Sequence, residues 1–219
     1  MERLDDLQHN GLMLYQDSGA PCFSADALLL CGFLRLSPKD EVVELGSGTG
    51  VICVLGADNT GARFTGVERE PELVALSQKS AAYNKQDIRF LCADAADAPQ
   101  LLGRGVFTAV VMNPPYFTSG DVSGAPSRGA ARHAQGDTLG LFLDAAFQLL
   151  KNGGKLFLIY PADDLAQLVL ALRQRRLEPK RIRFAYAKAG RDALRVLVEA
   201  KKLGRPGLKV LPPLLIDEQ

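Results

Sequence analysis

Val42-Val43-Glu44-Leu45-Gly46-Ser47-Gly48-Thr49-Gly50-Val51-Ile52 is the stretch that decides the fold. Its β-branched residues and Leu45 predict a buried strand, the alternating glycines a turn, and Thr49 onward the start of a helix. Glycine at every second position removes the Cβ atoms that would hold a ligand away from the backbone. The turn is therefore expected to present free N–H groups, at a helix N-terminus, to something polar or anionic. A dinucleotide fingerprint needs G-x-G-x-x-G, and its last position here is Val51. A phosphate-cradling loop needs a Gly-Lys-Ser/Thr ending, and no lysine is present. What remains is an acid on the strand end followed by G-x-G-x-G, with a merely tight turn as the competing reading.

Outward from that stretch, strands and helices alternate. Strand 41–45 precedes a helix at 49–57. Residues 63–68 form a second strand ending in Glu68, and Pro71 opens an amphipathic helix to about Asn84. Strand 88–92 leads to Asp94, and the apolar strand 106–112 leads to Asn113. A helix at 139–150 is terminated by Asn152-Gly153-Gly154. Strand 155–160, helix 163–175 and a strand pair at 180–187 and 193–201 complete the series. Upstream, Gly11 to Gln16 predicts a short strand. Ser24 or Asp26 is a candidate N-cap for an apolar helix that stops before Ser37-Pro38. Near-continuous apolar strands alternating with helices imply a parallel sheet covered on both faces.

The 219 residues suit one α/β domain, with residues 1–40 as an N-terminal covering segment, 41–201 as the core and 202–219 as a tail. With 47% hydrophobic and 23% charged residues the composition is that of a soluble globular chain. No apolar run reaches the roughly 18 residues of a membrane span, and no signal segment precedes Glu2 and Asp5, so a cytoplasmic location is expected. Cys22, Cys31, Cys53 and Cys92 show no C-x-x-C spacing and are expected to be small buried thiols. With two histidines, no metal site is expected. Net charge is +1 but unevenly placed: residues 173–209 carry 13 Lys/Arg against 3 Asp/Glu, a net of +10.

In a doubly wound sheet, ligands bind at the carboxyl ends of the strands. Glu44, Glu68, Asp94 and Asn113 end four of them. The acid followed by Gly46, Gly48 and Gly50 resembles the first motif of the class I S-adenosylmethionine (SAM) methyltransferases. That resemblance implies a Rossmann-like α/β fold whose seven-stranded, mostly parallel sheet has an antiparallel last strand, with SAM as cofactor. Glu44 would then hold the methionine ammonium, directly or through water. Glu68 would accept from both ribose hydroxyls, a bidentate and geometrically selective contact. Asp94 would accept from the adenine amino group, with Val67 and Ala95 flanking the ring. Phe23 and Ser24 match a segment that lies over the methionine end in amino-methyltransferases. The competing readings are an ion pair of Glu68 with Arg69 or Arg89, and a helix cap for Asp94.

The motif Asn113-Pro114-Pro115-Tyr116 follows an apolar strand with no intervening residue. Its prolines fix φ and bar Asn113 from the right-handed helical region. A stiff turn suits methylation of a planar amine, whose lone pair is delocalised and weakly nucleophilic. Two fixed acceptors, the Asn113 side-chain oxygen and the Pro114 carbonyl, can bond both amine hydrogens and aim the lone pair. Tyr116 offers a face on which a flipped-out base can stack. No metal or covalent nucleophile is needed. The motif resembles that of amino-methyltransferases acting on adenine, guanine or glutamine side-chain amides.

Glutamine methylators usually carry a separate helical domain ahead of this core, and guanine methylators often have Phe at the fourth motif position. Adenine is therefore favoured, and the basic stretch favours nucleic acid. The chain as a whole resembles the bacterial methyltransferases that modify adenosine beside the anticodon of valine tRNA. That resemblance runs from Phe23-Ser24-Ala25-Asp26-Ala27 through the two motifs to Arg132-His133, in a segment 117–137 expected to be a loop that orders on substrate binding. It implies tRNA as partner, with Arg132 and His133 on phosphate or base, a loop His without a catalytic role being the alternative. No protein partner is expected, and a monomer is favoured with the oligomeric state left open. Arg173, Arg175, Arg176, Arg181 and Arg183 are expected to follow the phosphate backbone, a solvated face being the alternative. The rival functions are a guanine-N2 rRNA or protein-glutamine methyltransferase and a non-catalytic RNA-binding module.

Overall fold

Strands that are apolar on both sides need a layer of helices on each face, and the described residues supply three per face. The computed structural model describes residues 2–17, 25–114 and 128–216, with the backbone alone at 128–137. In chain order the elements are β1 (Glu2–Asp6), β2 (Met13–Asp17), α1 (Ala25–Phe33), β3 (Glu41–Leu45), α2 (Val51–Thr60), β4 (Arg63–Glu68), α3 (Pro71–Tyr83), β5 (Arg89–Cys92) and α4 (Ala98–Leu102). Then come β6 (Phe107–Met112), α5 (Arg128–Leu149), β7 (Leu150–Pro161), α6 (Leu165–Gln174), β8 (Leu177–Tyr186), β9 (Ala193–Lys202), β10 (Lys209–Val210) and β11 (Leu214–Leu215).

The main sheet runs β10-β8-β9-β7-β6-β3-β4-β5, and β11 also pairs with β8. β3, β4, β5, β6 and β7 pair in parallel, whereas β9 is antiparallel to both β7 and β8. The expected seven strands are thus present with the reversed strand, and the tail adds β10 and β11, making nine. Strand order reverses between β3 and β6, which places a crevice at their carboxyl ends.

Side chains alternate across the strands. Along β3, Val42 packs with Leu30, Ile52 and Phe64 under α1 and α2. Val43 and Leu45 pack on the other face with Leu143, Leu149 and Leu168 under α5 and α6. Each such fully buried aliphatic side chain contributes roughly 1.5–3 kcal/mol.

Five expectations need correction. β1 was not anticipated, because Glu2-Arg3-Leu4-Asp5-Asp6 is too polar to read as a strand. It pairs with β2, which is fastened to α3 by bonds from Asn84 Nδ2 to Met13 O (2.7 Å) and Tyr15 N to Ser80 Oγ (2.9 Å). α5 begins at Arg128, inside the segment read as a loop, since Ala130, Ala131, Ala134 and Gln135 outweigh Gly129 and Gly136 as helix formers. The same helix ends at Leu149 and runs straight into β7, so Asn152-Gly153-Gly154 lies in that strand's irregular start rather than at a helix stop. Asp26 does not cap α1; it lies within the helix, and both its oxygens accept from Arg195 Nε (3.1 and 3.0 Å). Cys31 and Cys53 are buried as expected, but Cys92 is exposed.

Candidate active site

The turn after β3 is glycine-rich because its backbone demands it. Gly46, Gly48 and Gly50 have φ of 72°, 53° and 84°, a left-handed region that strains any residue with a Cβ. Four of its N–H groups are engaged within the protein, whereas the Thr49 N–H and the buried Ser47 Oγ have no partner among the described residues. Gly46 N and Ser47 N donate to Val67 O (2.9 and 3.0 Å), Gly50 N to Ser47 O (2.8 Å), and Gly48 N to Glu68 Oε2 (2.9 Å). Glu68 also accepts from the backbone N–H of Arg69 (2.8 Å) and Glu70 (3.1 Å) through Oε1. It pairs with neither the Arg69 nor the Arg89 side chain; Arg69 instead meets Glu70 (3.1 Å). Ser77 Oγ donates to Gly48 O (2.9 Å), so β4 and α3 together pin the turn. Gly66 is equally obligatory and was not singled out from the sequence. A Cβ there would lie 2.5 Å from the Phe90 ring and 2.9 Å from Ser47 Oγ.

Beside this turn, at the carboxyl ends of β3 to β6, lies a cavity of about 460 Å³. Its wall unites the expected Gly46, Val67, Glu68, Asp94, Ala95 and Asn113. Leu73 on α3, Arg69 and Glu70 at the end of β4, and Thr138, Leu141 and Phe142 on α5 complete it. These six were not foreseen; the helical spacing of 138, 141 and 142 marks one face of α5, and the topology turns that face to the cavity. Phe142 closes directly over the turn, 3.3 Å from where a Gly46 Cβ would stand. Asp94 lines the cavity and also caps its own turn, accepting from Ala96 N through Oδ1 (2.8 Å). Its two readings are compatible, because the other oxygen stays available.

Glu44 is placed elsewhere. It shares the Val42 face of β3, is 1% exposed, and accepts from the Cys53 thiol at 2.9 Å. It is not among the residues of the cavity wall, its carboxyl being turned to Cys53 under α2. Burial raises its pKa to about 8, with Glu68's charge adding to the rise and the Cys53 hydrogen bonds opposing it.

Asn113 ends β6 at the cavity, and its Oδ1 is a buried acceptor with no donor among the described residues. An orphaned buried acceptor costs about 1–3 kcal/mol and needs a reason. Pro114 behind it is buried. Phe23, Ser24, Pro115 and Tyr116 lie outside the described residues, as do the side chains of Arg132 and His133.

The five arginines expected along RNA do not form one face. α6 runs from the cavity end of the sheet to the opposite end, so Arg173, Arg175 and Arg176 emerge far from Asn113. Arg173 meets Glu178 (3.3 Å) and Arg175 clamps Asp144 on α5 (2.7 and 3.3 Å). Arg181 is 14% exposed, paired with Glu199 (2.5 Å) and stacked over Phe33 at 4.7 Å. Arg183 Nε donates to Pro212 O (3.0 Å), which holds the tail against β8. The long-range partners of Arg175 and Arg181 explain why a charge run in the sequence is not a charge stripe on the surface. Among the described residues no cluster of His, Cys, Asp or Glu could hold a metal, and no helix is long and apolar enough to cross a membrane.

Known proteins resemble this chain in sequence and in fold. A tRNA1(Val) (adenine(37)-N6)-methyltransferase of Shewanella amazonensis is 38% identical over 112 residues, covering 50% of this chain and 48% of that one. The chain thus spans about half the length of that relative. The enzyme of the same name from Phocaeicola vulgatus is 26% identical over 188 residues, covering 86% and 80%. The crystal structure of a predicted O-methyltransferase from Agrobacterium tumefaciens superposes with a TM-score of 0.68 at 26% identity, covering 87% of each chain. The sheet order with its reversed β9 is the class I methyltransferase fold. The model of the methyltransferase small domain matches residues 23–172, and the chain belongs to that family.

Proposed function

We propose that this protein transfers the methyl group of SAM to the exocyclic N6 amine of an adenine in tRNA, beside the anticodon of valine tRNA. The single observation that carries the reading is the unpartnered Asn113 Oδ1, buried in the wall of the cavity that also holds Glu68 and Asp94. An acceptor with nothing to accept from suits a substrate that brings N–H donors, which an exocyclic amine does. The names of the two tRNA-modifying relatives support the same acceptor.

The residues present fit the cofactor. A cavity of about 460 Å³ suits a nucleoside-sized ligand. Glu68 has lone pairs left beyond its three backbone donors, enough for ribose hydroxyls. Asp94 offers its second oxygen to an amino group, and Val67, Ala95, Leu73, Leu141 and Phe142 supply apolar walls for a ring. When bound, SAM supplies an electrophilic methyl group on a sulfonium that leaves as a neutral thioether.

On the acceptor side, Asn113 Oδ1 takes one amine hydrogen and the Pro114 carbonyl the other. This draws the nitrogen toward tetrahedral geometry and frees its lone pair. The Tyr116 face stacks the base. The proton leaves to water after the N–C bond forms, so no general base is required.

The test is to incubate the purified protein with methyl-labelled SAM and bulk bacterial tRNA, with ribosomal RNA and protein extract alongside, then digest and separate the products. Label in N6-methyladenosine is expected. Label in methylguanosine or methylglutamine would overturn the acceptor, and no label despite measured SAM binding would make the chain a binding module.

A further inference from the structure

The two ends of the sheet differ in charge. Parallel strands β3, β6, β7 and β8 start at the end opposite the cavity, and antiparallel β9 finishes there. These five strands are consecutive neighbours in the order β8-β9-β7-β6-β3. At that end each carries an exposed cation: Arg176 before β8, Lys201 and Arg205 at the end of β9, Lys151 at the start of β7, Arg104 before β6 and Arg35 before β3. None of the six side chains makes a hydrogen bond or ion pair among the described residues.

The carboxylates nearby are already engaged. Glu178 pairs with Arg173 (3.3 Å), Glu41 with Arg63, and Asp40 accepts from Ser37 N and Oγ (2.8 and 2.9 Å). Beyond β3 the band stops, where Lys85, Asp87 and Arg89 mix the signs. At about 4.8 Å between strands the band is roughly 20 Å wide. The cavity end mixes the signs, with Glu70, Asp94, Asp97, Asp163 and Asp192 exposed beside Arg69, Lys188 and Arg191. Uncompensated like charge such as the band's repels itself in the folded state, so a polyanionic partner is its natural complement.

We propose that this band is a second RNA contact, which binds the sugar–phosphate backbone of the substrate remote from the base being methylated. It rests on the reading of RNA as substrate. Lysine and arginine position phosphates without reading sequence. The exposed apolar neighbours are aliphatic (Val106, Leu203 and Leu208), so no aromatic ring in the band stacks a base. Strand β6 has six residues and separates the band from Asn113 by about 20 Å. A folded tRNA can reach both places at once, whereas a short anticodon loop reaches only the cavity. The band therefore selects for the folded molecule.

The test compares wild type with the quadruple variant Arg104→Gln, Lys151→Gln, Arg176→Gln, Lys201→Gln in binding full-length tRNA across a salt series. The slope of log affinity against log salt should fall by about 3, each lost phosphate contact removing roughly 0.7–0.9. Affinity at low salt should fall at least tenfold, with SAM affinity, melting temperature and kcat at saturating tRNA unchanged. The matching variant with Lys for Arg and Arg for Lys at these four positions should keep the wild-type slope. An unchanged slope in the Gln variant overturns the proposal. So does a loss seen only with phosphatidylserine vesicles, which would make the band a membrane contact. Should the wild type bind tRNA through the band yet methylate no nucleoside, the contact stands and the methyl acceptor falls. Methylation with undiminished binding by the Gln variant would mean the reverse, an acceptor that stands and a contact that falls.

Discussion

The turn after β3 and the turn after β6 lie side by side at one end of the sheet, and they treat their polar groups differently: the first engages most of them, the second leaves its acceptor open. In the first, Gly46, Ser47, Gly48 and Gly50 direct their N–H groups to Val67, Ser47 and Glu68, and Ser77 closes the Gly48 carbonyl. In the second, the Asn113 acceptor is buried with no donor among the described residues. The first turn is therefore held mainly by the protein itself, with only Ser47 Oγ and the Thr49 N–H left without a partner among the described residues, and acts as a cradle. The second is completed by whatever brings hydrogens to it. Cofactor binding and acceptor chemistry should then be separable by mutation.

The largest effect falls on the incomplete turn. Asn113→Ala should lower the single-turnover methylation rate about 10²- to 10³-fold, the usual consequence of removing one preorganised hydrogen-bonding group. SAM affinity should stay within a few-fold of wild type. A parallel loss of SAM affinity in calorimetry would erase the distinction between the turns. Glu68→Ala attacks the cradle instead, leaving the N–H groups of Gly48, Arg69 and Glu70 without their acceptor. SAM affinity should fall about 100-fold, and stability by about 2 kcal/mol in urea melts. Unchanged SAM affinity would show that this carboxylate holds only the fold.

The third effect concerns pH. Glu44 is protonated in the folded protein up to about pH 8, whereas its ordinary value is 4.5. Its folded pKa is raised, so its contribution is fully present below about pH 4.5 and is lost as pH rises toward 8. Wild-type stability should decline across that window by at most about 1.4 kcal/mol per pH unit. Glu44→Gln should flatten the decline, and an identical slope in both proteins would place the titration elsewhere. The smallest effect is Gly48→Ala. Nothing lies within 4 Å of its Cβ position, so only the positive φ of 53° opposes it, at about 1 kcal/mol. A Gly50 substitution should cost more, because its Cβ would stand 2.9 Å from the Phe90 ring.

Much of this was legible in the sequence. The strand at 41–45 and the strand at 63–68 have the expected bounds, and Glu68, Asp94 and Asn113 come together at the strand ends around one cavity. What stayed hidden was direction and long-range partnership. Glu44 lies two residues from Val42 and so shares its face, but a strand apolar on both sides gives no contrast from which to tell that face from the cavity side. Gly66 is obligatory because of Phe90, a neighbour only once β4 and β5 pair. Arg195 is committed to Asp26, 169 positions away, which no charge count reveals. The remoteness of Arg173 and Arg176 from Asn113 was available from topology alone, since a helix that leaves one end of a parallel sheet must finish at the other.

The most direct test of the central claim is a double-mutant cycle on the Asn113–amine bond. Anticodon stem-loops carrying either adenosine or purine riboside, which lacks the 6-amino group, would be titrated into wild type and Asn113→Ala with S-adenosylhomocysteine present. Removing the amine should weaken binding to wild type by about 1–2 kcal/mol and to Asn113→Ala by almost nothing. An equal penalty in both proteins would mean that Asn113 does not receive the amine, and the proposed mechanism would fail.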